Sequence, residues 1–130
     1  MRLSFGHGLV HTAMNNSQVV ALSADLADSV GFGEFAKKIG APRFIEVGVA
    51  EQNLVTVASG LAAMGNIPFA ASYAAFSPGR NWEQIRTTIC LNNQPVKLVG
   101  SHAGLNVDAG LRLETFFRGM ETNLPPDRLL

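Results

Sequence analysis

The feature that most constrains this chain is a regular exchange of short apolar runs with segments of helical period. Gln18-Val-Val-Ala-Leu-Ser23, Arg43-Phe-Ile-Glu-Val47, Ile67-Pro-Phe-Ala-Ala71 and Val96-Lys-Leu-Val-Gly100 are short enough, and apolar enough, for buried strands. Pro68 is tolerable because it stands near the start of its run. Between the runs, Leu3 to Asn16 carries Phe5, Leu9, Val10, Ala13 and Met14 as a helical stripe. Ala50 to Met64 does the same with Leu54, Val57, Ala58 and Leu61, and Gly65 stops it. Gly33 to Ile39 predicts a short helix, and Asn81 to Leu91 a longer one with Trp82, Ile85 and Ile89 inward. This order predicts an α/β fold: a three-layer parallel sheet with helices on both faces. Such sheets bind ligands at the carboxyl ends of their strands, so the loops at 24–29, 48–53, 72–80 and 101–108 are where function is expected.

Composition narrows the classes. The 130 residues suit one domain, read as 1–107 with a divergent tail at 108–130. Ten basic residues balance ten acidic ones, which gives no basic field for nucleic acid and no polybasic run for a membrane surface. No apolar stretch approaches the roughly 20 residues of a membrane span, and Gly6, His7 and Gly8 interrupt any signal-peptide plan at the start. The single cysteine, Cys90, excludes an intrachain disulfide and a thiolate metal cluster. The expectation is a soluble, cytoplasmic domain that binds no metal of its own.

Taken singly, the strand-end residues have ordinary readings. Glu51 is a carboxylate at the positive end of a helix, worth roughly 0.3–1 kcal/mol. Tyr73 and Phe76 could close the core, and His102 could be a hydrogen-bonded residue with no ligand. Arg2, Asp25 and Ser29 would pass as a solvated charge, an Asx turn and a helix cap. Gly31-Phe-Gly33 follows no strand directly, so there is no dinucleotide-type phosphate loop.

In combination the motifs say more. Val47-Gly-Val-Ala-Glu-Gln-Asn53 and Ala71-Ser-Tyr-Ala-Ala-Phe-Ser77 resemble the thiamine-pyrimidine-binding domain of the transketolase family. Ser23-Ala-Asp-Leu26, Arg80…Gln84-Ile-Arg86 and Gly100-Ser-His-Ala-Gly104 resemble it in the same order, over about residues 2–107. The wording is most similar to split transketolases, whose C-terminal half is a separate chain. Deoxyxylulose-phosphate synthases and the beta subunits of 2-oxoacid dehydrogenases share the domain.

The resemblance implies a cofactor and roles. Thiamine diphosphate must lose the proton at C2 of its thiazolium to act as an electron sink. The base is its own 4′-imino nitrogen, formed when a carboxyl group contacts ring nitrogen N1′; Glu51 matches that glutamate. Phe76 matches the aromatic residue that stacks on the pyrimidine, and Tyr73 a neighbouring one. Asp25 matches an acidic residue beside the cofactor at the subunit interface, while Arg2, Ser29 and His102 match positions that hold a sugar-phosphate's phosphate.

The implied activity is transfer of two-carbon ketol units between sugar phosphates, as in the pentose phosphate pathway. It implies a partner as well, either a diphosphate-binding subunit or another copy in a homo-oligomer. The family's magnesium and diphosphate ligands lie in a Gly-Asp-Gly…Asn element on another domain, and this sequence has no Gly-Asp-Gly. After Val107 the family's Thr-His-Gln is also missing, so the domain reads as truncated, frame-shifted or shortened at its C-terminal end. Two further readings stand beside the first. One is a non-catalytic remnant or regulatory partner of a thiamine diphosphate enzyme. The other is an unrelated nucleotide-binding α/β domain, which the absent Gly-rich loop opposes.

Overall fold

A computed structural model describes residues 2–103, and for Arg2 the backbone alone. The tail at 108–130, including the expected short helix from Leu111 to Met120, lies outside the described residues. Helix α1 (Arg2–Asn15) leads into β1 (Val19–Ser23), followed by short helices α2 (Ala27–Val30) and α3 (Gly33–Lys38). Then come β2 (Phe44–Glu46), α4 (Glu51–Ala63) and β3 (Ile67–Tyr73). A 3-10 turn at Gly79–Asn81 enters α5 (Trp82–Gln84), a π-helical stretch Ile85–Cys90 continues it, and β4 (Lys97–Ser101) closes the order.

The four strands are parallel in the order β2-β1-β3-β4. Ala21 on central β1 stands opposite Phe44 on one side and Phe69 on the other. Every residue of β1 is buried, because side chains alternate between two covered faces. Val19 and Ala21 pack in one cluster with Leu9, Val10 and Ala13 of α1 and with Val30, Phe32 and Phe35. Val20 and Leu22 pack in the other with Leu54 and Ala58 of α4. Outside that layer, Val55 of α4 meets Ile85 and Ile89. The parallel three-layer arrangement is the one expected. No helix among the described residues is long and apolar enough to cross a membrane.

Three local readings need correction. Residues 27–29, expected in a loop, belong to α2, so Ser29 lies inside a helical turn and not at the cap position before a helix. The turn forms because Gly31 takes the left-handed conformation (φ 90°), and the Phe32 N–H reaches the Ala27 carbonyl at 2.7 Å. Ser72 and Tyr73, expected in a loop, extend β3, since Tyr73 pairs with Ser101 of β4. The single helix expected from Asn81 is a 3-10, α and π succession in which Ile85 and Ile89 are buried but Trp82 only half-buried.

Candidate functional site

Because the strands are parallel, the ends of β1, β3 and β4 bring Asp25, Tyr73 and His102 to one edge of the sheet. The start of α4 delivers Glu51 to β3 near that edge. Gly48 (φ 74°) turns the chain after β2, and Ala50 forms the junction from which α4 begins. Glu51 sits in the first turn, where the helix dipole favours a carboxylate. It is also 1% exposed, which the dipole alone does not require. Burial of a charge calls for partners, and two elements supply them. The Ser72 hydroxyl donates to Oε1 at 3.0 Å, from within β3. Arg80 Nη1 donates to Oε2 at 2.7 Å, from the 3-10 turn. Asn81, itself fully buried, donates from Nδ2 to the Glu51 carbonyl at 3.1 Å and to the Ser77 hydroxyl at 3.0 Å.

Aromatic groups extend the cluster. The chain tightens after β3, where the Phe76 and Ser77 N–H groups both reach the Tyr73 carbonyl at 2.9 Å. The Tyr73 and Phe76 rings therefore stack, 6.0 Å apart and 13° from parallel. The Arg80 guanidinium lies over Phe76 at 4.6 Å from its centroid, within the range of a cation–π contact. The His102 ring is 4.1 Å from that of Tyr73, and its Nδ1 is 2.9 Å from the Ser101 hydroxyl. Ser101 in turn reaches the Ser72 carbonyl at 3.4 Å.

Four of the expected site residues, Glu51, Tyr73, Phe76 and His102, thus join one chain of contacts. The others sit on separate elements. Arg2 opens α1 and Ser29 lies on α2. Asp25 follows β1 with φ 61°, and its N–H donates to the Glu46 carboxylate. Ser72, Arg80, Asn81 and Ser101 belong to the cluster without having been given a role from sequence. Arg80 was visible as part of a motif, but no local pattern tied it to a carboxylate 29 positions earlier. A separate cavity of about 350 Å³ is lined by Leu3, His7, Asp28, Glu34 and Lys37 among others, and shares no residue with the cluster. Glu34 of that wall is bonded by Lys38 at 2.6 Å, which holds its carboxyl below the usual range.

A buried carboxylate and stacked aromatics thus stand beside the carboxyl ends of a parallel sheet, the place where α/β domains generally keep their ligand sites. The family model of the transketolase pyrimidine-binding domain matches residues 1–112. The chain belongs to that family. It is 41% identical over 107 residues to a protein of Methanocaldococcus jannaschii named as a transketolase C-terminal section, covering 82% of this chain and 34% of the relative. It is 39% identical over 102 residues to 1-deoxy-D-xylulose-5-phosphate synthase of Clostridium acetobutylicum, covering 78% of this chain and 16% of that one. Among solved structures, a split-gene transketolase described as an inactive beta4 tetramer aligns with a TM-score of 0.66 and 43% identity. That alignment covers 76% of this chain and 32% of the other. The chain therefore spans about a third or less of the length of these relatives.

Proposed function

We propose that this chain is the pyrimidine-binding part of a transketolase-like enzyme that moves two-carbon ketol units between sugar phosphates. The observation that carries the reading is the Glu51 carboxyl group, sealed from water and joined through Arg80 to the Phe76 ring, on which Tyr73 stacks. These groups fit the pyrimidine end of thiamine diphosphate. A buried carboxyl group suits a ring nitrogen, and an aromatic face suits a flat heterocycle. When bound, the cofactor supplies an electron sink for carbon–carbon bond cleavage and formation.

The chain's own residues divide the remaining work. Glu51 would hold ring nitrogen N1′ through its carboxyl group, whose plane Ser72 fixes through Oε1. Phe76 orients the ring, with Tyr73 stacked behind the same turn. Asp25 borders the cofactor, while His102, Ser29 and Arg2 bind the substrate's phosphate. Magnesium and the diphosphate fall to a Gly-Asp-Gly element on another domain or chain, since this sequence has none. A second reading, a non-catalytic partner of such an enzyme, draws on the absence of Thr-His-Gln.

Reconstitution tests both. The chain is mixed with a complementary protein carrying the Gly-Asp-Gly…Asn element, and ketol transfer is assayed with thiamine diphosphate and magnesium. Turnover that disappears in Glu51→Gln supports the enzyme. A stable complex without turnover supports the non-catalytic partner.

A further inference from the structure

Arg80 makes two contacts at once. Its Nη1 donates to Glu51 Oε2 at 2.7 Å, and its guanidinium carbon lies 4.6 Å from the centre of the Phe76 ring. Each contact is ordinary alone. Together they set a flat, delocalised cation with N–H donors against a buried carboxylate and an aromatic face. An aminopyrimidine protonated at ring nitrogen N1′ is likewise a flat, delocalised cation with an N–H donor. We propose that Arg80 is a built-in occupant of the pyrimidine subsite, and that the ring binds by exchanging with it. The inference rests on the roles proposed above for Glu51 and Phe76.

Three features make the exchange physically feasible. The Arg80 side chain is 47% exposed whereas that of Glu51 is fully buried, so the guanidinium has a route to water and the carboxylate has none. Arg80 stands in a three-residue 3-10 turn, where a change of rotamer disturbs no packed helix. Ser72 retains Oε1, so the carboxyl group keeps its direction when Oε2 is released. The exchange also explains why such a group is present. A buried carboxylate without a partner is strongly unfavourable, and Arg80 covers it whenever the ring is away. Arg80 is therefore a positioning residue for the empty site and a competitor for the filled one.

The test uses the full chain with isotope-labelled arginine side chains, and thiamine itself as probe. On saturation with thiamine, the Arg80 guanidinium signals should move to those of a solvated arginine. Arg80→Gln, which keeps an N–H donor but loses the cation, should bind thiamine about five-fold more tightly, the factor set by a half-exposed ion pair. Thiamine binding to Arg80→Gln but not to the parent supports the proposal still more directly. Unmoved Arg80 signals at saturation overturn it. So does an Arg80→Gln chain that binds thiamine no better than the parent. If the variant fails to fold, the signals of the parent chain decide alone. Absence of thiamine binding in both folded proteins overturns the pyrimidine-site reading and the exchange with it.

Discussion

Adding one methyl group at Gly6 or at Gly8 should have opposite effects on stability, although the two glycines are two positions apart in α1. A Cβ built on Gly6 would stand 2.1 Å from the Gly31 carbonyl oxygen and 3.2 Å from its carbon. Carbon–oxygen contacts normally begin near 3.3 Å, so helix and turn must part by about 1.2 Å. Neither yields easily. Gly31 is the left-handed cap of α2 and precedes fully buried Phe32, while α1 contributes Leu9, Val10 and Ala13 to the same cluster. Overpacking of this kind costs about 1–3 kcal/mol, and the better helix propensity of alanine returns at most about 1. The net expectation for Gly6→Ala is a loss of about 1–2 kcal/mol. A Cβ on Gly8 meets nothing within 4 Å, so Gly8→Ala receives the propensity gain alone, about 0.5–1 kcal/mol. Urea unfolding of both variants and the parent, compared at a common m-value, measures the difference. A Gly6→Ala protein as stable as the parent, or the two variants shifting in the same direction, would refute the close approach of α1 to Gly31.

Three further outcomes are expected. In the reconstituted complex, Glu51→Gln should keep the fold and most cofactor affinity but lose most hydrogen–deuterium exchange at C2 of the cofactor, followed by NMR; equal rates in mutant and parent would remove Glu51 from that role. Asn81→Ala deletes the bonds to the Glu51 carbonyl and the Ser77 hydroxyl, at about 1 kcal/mol each, and an unchanged thermal melt would contradict the geometry. Glu34 is held below its ordinary range chiefly by its hydrogen bond from Lys38, so its contribution to stability is present near neutrality and fades as pH falls through its folded value. Lys38→Met should flatten that part of the stability–pH profile, and an unaltered acid limb in urea titrations would count against the pairing.

The sheet was legible because β1 is buried on both faces and so reads as an unbroken apolar run. Helix α4 was legible from its stripe, since Leu54 and Ala58 face the sheet at helical spacing. Helix α2 was not, because four residues give no period and Asp25, Asp28 and Ser29 look like a polar loop. The last two residues of β3 were hidden for another reason. Ser72 and Tyr73 are strand only because β4 lies beside them, and that pairing spans almost 30 residues of sequence. The site divides in the same way. Glu51 stood out at a helix start, but only its resemblance to a family motif distinguished it from a dipole carboxylate. Its ties to Ser72 and Arg80, 21 and 29 residues away, depend on three-dimensional register and leave no trace in any local window.

The way the Glu51 cluster is mounted also has a mechanical consequence. Ser72 lies in a strand bonded to neighbours on both sides, and Glu51 opens a helix of 13 residues packed on that sheet. Neither can shift without dragging the core along. Phe76 and Arg80 ride instead on the short span from Ala74 to Arg80, pinned at one end by β3 and at the other by the buried amide of Asn81. Adjustment to a ligand is therefore confined to that span, while the carboxyl group stays in register with the sheet. Motion on the microsecond-to-millisecond scale in this domain should thus report on the aromatic side of the site and be silent at Glu51 and Ser72.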